Sequence, residues 1–269
     1  EVEIELALEK VRSRTMAMRN SSELAEASAL LDEQVRNLGI KTWGCAFHIY
    51  ADNDEGDGEW FTSENGKLPF YKTPREKFFL DFYKKGQRGE KFHVQEFSGA
   101  KCKAHYEYLK SISVLGDSLR AMENSGLSLP DYQIDNIAFF KYGYILFITY
   151  EHVPEAYIIF QRFSKVFEQT YTRFLDLQKA EAQAREAQIE MALEKVRSCT
   201  IAMQHSDELP EAANLLFTEI QKLGIPAWSC GYNILSDDKK SSICIMSSEG
   251  EMQIPFVLPL TEHKSLNPW

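Results

Sequence analysis

The chain has 269 residues, of which 44% are hydrophobic, so it is long enough to bury a core of ordinary size. Its 30 Lys and Arg residues against 40 Asp and Glu residues give a formal charge of -10, which argues against a surface that follows nucleic-acid phosphates. No apolar run approaches the roughly 20 residues that a membrane-spanning helix needs. We therefore predict a globular protein with neither nucleic acid nor membrane as a partner.

The five cysteines are scattered along the chain and form no Cys-x-x-Cys pair. This pattern is typical neither of a disulfide framework nor of a zinc site, and it favours a reducing, cytoplasmic location. Cys45 and Cys230 occupy equivalent places on predicted strands, where a thiol is more often an inert core residue than a redox sensor.

A stretch near the start of the chain recurs 185 residues later. Residues 4–49 and 189–234 align without a gap and share 25 of 46 positions, far more than chance produces. The likeness continues to Pro69-Phe70, which we align with Pro255-Phe256 after a one-residue insertion. We expect the second copy to be the first part of a truncated module. A short protein that completes itself by exchanging strands is the alternative.

The first copy begins with two predicted helices and a strand. Apolar residues spaced three and four apart predict a helix from Ile4 to Met18, and a second helix should end at Gly39. A period of two then predicts a strand with one more apolar face. The side chains expected on that face are Trp43, Cys45, Phe47 and Ile49.

The acidic segment 52–59 is interpreted as a solvated hairpin turn between this strand and a strand at 59–63. Its alternating carboxylates also resemble an EF-hand calcium loop. The segment lacks a bidentate Glu at the twelfth position and flanking helices, so the turn is the preferred interpretation.

The middle of the module is predicted to alternate helices and strands. Thr73 should cap a helix that begins at Pro74 and runs to Lys85. A strand at 91–97 and helical residues 101–124 follow. The segments 134–141 and 143–151 read as a hairpin that is apolar on both faces, which predicts a central place in the sheet.

A long helix is predicted from Pro154 to about His205. Its apolar residues follow a heptad-like spacing, and the register slips at the alanines of 180–187. One apolar stripe on so long a helix predicts a parallel homodimer. The side chains expected in the dimer interface are Phe160, Phe163, Phe167, Phe174, Leu177, Ile189, Leu193, Val196 and Met203.

The order of elements and the residues of this connector carry a family resemblance. The connector contains Lys-Val-Phe-Glu-Gln-Thr-Tyr-Thr-Arg-Phe at 165–174, Ala-Gln-Ala-Arg-Glu-Ala at 182–187, and then Ala-Leu-Glu-Lys-Val-Arg at 192–197. In these features the chain resembles the tandem GAF-like modules of bacterial signalling receptors of the histidine kinase or nucleotide cyclase type. The resemblance implies an α+β fold, with an antiparallel sheet flanked by helices and a long signalling helix leading to a second, incomplete copy.

The resemblance also implies a function and a set of boundaries. Residues 1–153 would form a GAF-like module with N-terminal helices, 154–205 a connector overlapping the first helix of copy two, and 206–269 a partial second module. The expected function is a cytoplasmic sensory or transmitter module that relays a signal to an output domain outside this chain. A ligand-free dimerisation scaffold or a strand-swapped oligomer is the alternative.

No residue set predicts catalysis, a metal site or a cofactor. The six histidines are not clustered, and the chain contains no Gly-x-Ser-x-Gly elbow and no glycine-rich phosphate loop. The Asn-Lys-Phe-Asp-Glu signature of cyclic-nucleotide GAF domains and the Cys-His pair of phytochromes are also absent. One candidate site remains, a small-molecule pocket between the sheet and residues 73–124, although its aromatics could be plain core. The candidate lining residues are Trp43, Phe47, Phe92, Phe139 and Tyr144.

Overall fold

The computed structural model describes residues 1–53 and 56–260, and the chain divides into two compact units after Leu177. The division falls within the segment 154–205, which we expected as a separate connector. The first part of that segment belongs to the first unit because its aromatic side chains are buried there.

The first unit contains the helices and strands that precede and include the start of the long helix. In chain order these are α1 (Val2–Met16), α2 (Leu24–Asn37), β1 (Thr42–Ile49), β2 (Asp57–Ser63), β3 (Gly66–Lys67), β4 (Tyr71–Thr73), α3 (Lys77–Gln87), β5 (Phe92–Ser98), α4 (Gly99–Leu109), α5 (Ser113–Asn124), β6 (Tyr132–Phe140), β7 (Gly143–Thr149) and α6 (Tyr157–Ala202).

The strands of this unit form a seven-stranded sheet in the order β3-β2-β1-β7-β6-β5, with β4 also paired to β2. All pairs are antiparallel. The predicted α+β class is confirmed, and so is the inner position of the β6-β7 hairpin, whose residues are buried on both faces.

Two hydrophobic cores cover the two faces of the sheet. The terminal-helix core joins α1, α2 and the start of α6 to one face, through residues such as Leu8, Leu31 and Phe163. The middle-helix core joins α3, α4 and α5 to the other face, through residues such as Phe82 and Leu119. Because side chains alternate along a strand, neighbouring residues of one strand enter different cores.

A β-bulge in β1 decides which core receives its tryptophan. Thr42 pairs with Thr149 and Gly44 with Ile148, so Trp43 is an extra residue opposite β7. Trp43 therefore enters the middle-helix core, whereas Cys45 and Phe47 enter the terminal-helix core. Our prediction of a common face was wrong for Trp43, because strict alternation does not allow for an inserted residue.

The predicted capping role of Thr73 is also wrong. Thr73 pairs with Asp57 at the end of β4, and its hydroxyl donates to the Asp57 carbonyl oxygen at 3.4 Å. The sheet holds Thr73 in an extended strand, so the helix begins only at Lys77.

The second unit contains the rest of α6 and the elements that follow it. These are α7 (Leu209–Lys222), β8 (Ser229–Leu235), β9 (Ser241–Ser248), β10 (Glu251–Met252) and β11 (Phe256–Pro259). They form a four-stranded antiparallel sheet in which β9 pairs with each of the other three strands.

The strand register of the second unit repeats that of the first at a constant offset of 185 residues. The offset holds through β10 and β11, so the ladder does not contain the one-residue insertion that we placed before Pro255. Equivalent pairs include Gly44–Ser63 with Ser229–Ser248 and Glu59–Tyr71 with Cys244–Phe256.

Repeated side chains nevertheless differ in burial between the two units. Leu8 is 3% exposed and its equivalent Leu193 is 51% exposed. Trp43 is 7% exposed, whereas Trp228 is 74% exposed. The second unit thus leaves apolar surface uncovered that is covered in the first.

The five cysteines carry free thiols. Burial raises the pKa of the Cys45, Cys102 and Cys230 thiols, so these residues are poor nucleophiles. Across residues 1–53 and 56–260, we find no helix with the length and apolar character that a bilayer crossing requires.

Candidate functional site

A cavity of about 40 Å³ lies between the sheet and helices α3, α4 and α5. Most of its wall is aromatic or aliphatic, and four buried polar side chains interrupt it at Glu59, His105, Gln133 and Asp135. Apolar lining residues include Trp43, Phe61, Phe78, Phe79, Tyr106, Leu119, Tyr144 and Leu146.

The structure brings only two of the five predicted lining residues to this cavity. Trp43 and Tyr144 line it, and Phe139 packs on Tyr144 in the same core without reaching the cavity. Phe47 and Phe92 lie on the opposite face of the sheet. Our selection treated all strand aromatics alike, and the alternation of side chains along β1 and β5 separates them.

A buried charged network borders the cavity at His48. The His48 Nδ1 atom lies 2.7 Å from Glu59 Oε2, and its Nε2 atom lies 3.4 Å from Asp57 Oδ2. The Tyr71 hydroxyl donates to the other oxygen of Glu59 at 2.6 Å. Glu59 lines the cavity, so the network reaches its wall.

The second carboxylate of the network is bound by Arg75. The Arg75 Nη2 atom donates to Asp57 Oδ1 at 2.6 Å, and Nε donates to Oδ2 at 3.2 Å, which makes the pair bidentate. Burial alone would raise the pKa of Asp57, but hydrogen bonds from His48 and Arg75 lower it to about 2. Asp57 is therefore ionised at neutral pH.

These contacts correct the interpretation of the acidic segment as a solvated turn. Asp57 and Glu59 are almost fully buried, and β2 begins at Asp57 instead of Glu59. Asp52 is exposed as expected, while residues 54 and 55 lie outside the described residues. The acidic composition of the segment did not predict this burial. The side chains that pair with its carboxylates, His48 and Arg75, lie outside the segment.

His48 is enclosed by rings, and its two carboxylate partners favour its protonated form. Its imidazole stacks on Tyr144 with 4.1 Å between centroids. Burial alone would lower the pKa of His48, but hydrogen bonds to Asp57 and Glu59 raise it overall. The protonated ring can donate to one carboxylate from each nitrogen.

We expect His48→Asn to destabilise the protein more at low than at high pH. Because the folded pKa lies above the unfolded value, the stabilisation is complete below about pH 6.5 and is lost as pH rises through the folded pKa. The cost should be about 2 kcal/mol near pH 6, from the lost charged hydrogen bonds, and smaller near pH 9. Urea unfolding at both pH values measures it, with the exposed His152→Asn as control. An equal cost at both pH values would contradict the charged state of His48.

Asp135 is a second buried carboxylate on the cavity wall. Its Oδ1 atom accepts a hydrogen bond of 2.7 Å from the Gln133 side-chain amide, and Gln133 in turn accepts from the Tyr106 hydroxyl. Burial raises the pKa of Asp135 to about 7, since the single hydrogen bond from Gln133 lowers it less. Asp135 is therefore poised between its two charge states near neutral pH.

His105 supplies an unused polar atom at the same cavity. Its ring stacks on Phe97 at 3.9 Å between centroids, and its buried Nδ1 atom has no hydrogen-bond partner among the described residues. Burial lowers the pKa of His105 to about 4, so the ring is neutral at neutral pH. A neutral imidazole offers one nitrogen as an acceptor.

The second unit lacks this chemistry although it repeats the register. At the equivalent positions the polar network is replaced by smaller or apolar residues, so the described part of the second unit does not repeat the charged network. The replacements are Asn233 for His48, Ser242 for Asp57, Cys244 for Glu59 and Phe256 for Tyr71.

The residues predicted for a dimer interface divide into two groups. Four aromatic members are buried in the terminal-helix core of their own chain, so they are not available to a partner helix. These four are Phe160, Phe163, Phe167 and Phe174. Leu177 and Leu193 are exposed, and Ile189, Val196 and Met203 are partly exposed. A heptad-like spacing also suits a helix that packs on its own sheet, which is the arrangement found for the first group.

Sequence reasoning missed His48, Asp57, Glu59, His105 and Asp135. One signal was available in the sequence: His48, Asp57 and Glu59 are all replaced in copy two. Residues that form one buried network can be lost together from one copy of a repeat. In the part of the chain that the structure describes, no group of three or more His, Cys, Asp and Glu side chains could hold a metal ion. Comparison of the chain with protein-family models, curated proteins and solved structures finds no match.

Proposed function

We propose that the chain is a cytoplasmic sensory module with a GAF-like first unit and an incomplete second copy. In this proposal a small molecule binds in the cavity, and α6 relays binding to an output domain outside the chain. The observation that carries the proposal is that the strands lining the cavity also stack directly on α6. The order of elements and the repeated strand register support the GAF-like plan.

The link between cavity and helix runs through β1 and β7. On the cavity side, His48 of β1 stacks on Tyr144 of β7. On the opposite side, Phe47 stacks on Phe167 and Phe147 stacks on Phe160, each with 4.1 Å between centroids. If a ligand moves either strand, the side chains of α6 therefore have to repack, because a close-packed core has few voids that could absorb the movement.

Two hydrogen bonds tie α6 to the hairpin as well. The Ser164 hydroxyl donates to the Phe139 carbonyl oxygen at 2.8 Å, and the Lys141 amide donates to Glu168 Oε2 at 2.8 Å. Stacking and hydrogen bonding together favour a discrete shift of the helix over gradual deformation.

Filling the cavity tests this proposal without a known ligand. Leu119 lines the cavity on α5, and Leu119→Phe places a larger, aromatic side chain in the cavity. We expect amide hydrogen exchange along residues 157–202 to change, because the strands must adjust and α6 packs on them. Val114→Phe, on the exposed side of the same helix, is the matched control. Altered exchange confined to α5 and the cavity strands would contradict the relay.

We further propose that the chain forms a parallel homodimer through the later part of α6. The exposure of Leu193, in contrast to the burial of Leu8, supports a partner helix at this place. Leu193→Glu should shift the chain toward monomer in sedimentation equilibrium, since burying a carboxylate in an apolar seam is costly. Ile158→Glu, on an exposed face of the first part of α6, should leave the assembly unchanged. A monomeric wild-type chain would contradict the dimer.

The alternative is a scaffold that dimerises without a ligand. The small volume of the cavity favours it, because about 40 Å³ is far below the several hundred Å³ of ordinary ligand pockets. The scaffold predicts that Leu193→Glu still dissociates the dimer, while Leu119→Phe leaves exchange in α6 unchanged.

A further inference from the structure

The charges around the cavity do not balance. In the network, His48 and Arg75 face Glu59 and Asp57, so each carboxylate has a cationic neighbour. Asp135 has none: within residues 1–53 and 56–260 no Lys or Arg side chain forms an ion pair with it, and the charge that acts on it is the negative charge of Glu59. A buried carboxyl without a cation is favoured in its protonated form, and its ionised form needs a positive charge from elsewhere.

The other unused groups of the cavity suit the same kind of ligand. His105 Nδ1 is a buried nitrogen without a hydrogen-bond partner among the described residues, on a side chain that lines the cavity, and it is an acceptor when the neutral ring carries its proton on Nε2. Trp43, Phe61 and Tyr144 line the same cavity, and the faces of aromatic rings attract cations. A carboxylate, an acceptor nitrogen and aromatic rings together match a group with N–H donors, positive charge and apolar substituents.

We propose that this cavity binds the head group of a small organic ammonium ion, with Asp135 as its counter-ion and His105 as a second acceptor. The inference deepens the proposed sensory function by naming the class of ligand that the cavity takes. Its volume of about 40 Å³ is roughly three times what one water molecule needs, which suits an ammonium group with one or two carbon atoms. Anions are disfavoured by Asp135 and Glu59, and neutral apolar molecules leave both acceptors unused.

Binding should be linked to release of a proton from Asp135. The titratable groups that share its surroundings are Glu59 on β2, Tyr71 on β4, Tyr144 on β7, and Cys102, His105 and Tyr106 on α4. Burial raises the pKa of the three tyrosines and the cysteine and lowers that of His105, so these five stay neutral near pH 7. Below about pH 7 the ammonium ion must displace a proton from Asp135. The affinity for the ammonium ion should therefore increase by up to roughly tenfold for each unit by which the pH is raised toward 7, and it should level off above pH 7.

Isothermal titration of the full chain with ethylammonium chloride at about pH 8 tests the proposal. Sodium chloride fixes the ionic strength, ethanol serves as the neutral isostere, and sodium acetate serves as the anion. Asp135→Asn keeps the shape and removes the charge, and the exposed Asp131→Asn is the matched control. We expect saturable binding of ethylammonium alone, lost by at least tenfold in Asp135→Asn and unchanged in Asp131→Asn.

A second readout keeps the test independent of the variants. Wild-type titrations near pH 6.5 in two buffers of different ionisation enthalpy should show release of up to one proton per ethylammonium bound. No saturable binding by the wild type, equal binding of ethanol, or equal loss in both variants would overturn the inference. If ethylammonium does not bind but Leu119→Phe still alters exchange in α6, the ligand class is wrong and the sensory proposal stands. If it binds and Leu119→Phe leaves α6 unchanged, the relay is wrong and the ligand class stands.

Discussion

Replacing Asp135 by Asn should stabilise the protein relative to wild type, and the gain should grow as the pH rises from 4 to 7. Burial raises the folded pKa of Asp135 to about 7 from an ordinary value of 3.8. Between these values the folded chain holds a proton that the unfolded chain has released, so wild-type stability falls with rising pH. The difference amounts to about 4 kcal/mol across the whole interval. Asparagine carries no charge and escapes this loss.

Urea unfolding of the two proteins near pH 4 and near pH 8.5 measures this effect. Taking the difference between variant and wild type cancels the other groups that titrate, including His48 and Asp57. The side-chain carbonyl of the introduced asparagine can still accept the hydrogen bond from Gln133, so the comparison isolates the charge. Asp131→Asn, exposed nearby on the loop before β6, should show no such dependence. A variant whose stability differs from wild type equally at both pH values would exclude the raised pKa.

Replacing Phe167 by Ala should destabilise the protein by about 3–5 kcal/mol, the usual cost of removing a buried aromatic ring. Phe167 is fully buried where α6 crosses the sheet. Its ring stacks on Phe47 at 4.1 Å and on Tyr171 at 5.3 Å, and it meets the edge of Phe140 at 5.1 Å. Truncation removes these contacts and leaves a cavity between the helix and the sheet.

Leu177→Ala is the control for Phe167→Ala on the same helix. Leu177 is about half exposed, so its truncation should change the unfolding free energy by no more than roughly 0.5 kcal/mol. Urea unfolding followed by circular dichroism gives both values. If both variants lose equally little unfolding free energy, Phe167 is not buried in the core of its own chain. It would then face a partner helix, as its heptad-like spacing first indicated.

The spacing of apolar residues predicted where the elements lie but not always which face they present. The longer strands and helices of the first unit were found close to their predicted positions because they have a period of two or of three to four, whereas the short strands β3 and β4 were not predicted. Trp43 changed face because a bulge adds a residue, and a bulge depends on the pairing of Thr42 and Gly44 with β7. Pairing between distant strands is not encoded in the local pattern of either one.

The candidate site was harder to predict because its chemistry is assembled from distant segments. Asp57 resembled a surface residue until Arg75 and His48 were placed beside it, 18 and 9 residues away along the chain. His105 and Asp135 come from a helix and a strand that share no motif. Of the five aromatics chosen for a pocket, only Trp43 and Tyr144 lie at the cavity, since composition cannot distinguish the two faces of a sheet whose cores are both aromatic.

In the proposed function, a ligand that occupies the cavity changes the packing of α6. Amide hydrogen exchange of the wild-type chain, measured with and without saturating ethylammonium chloride at about pH 8, tests it most directly. We predict altered protection within residues 157–202 on binding, and no alteration at the same salt concentration in Asp135→Asn. Saturable binding with unchanged exchange throughout α6 would contradict the claim.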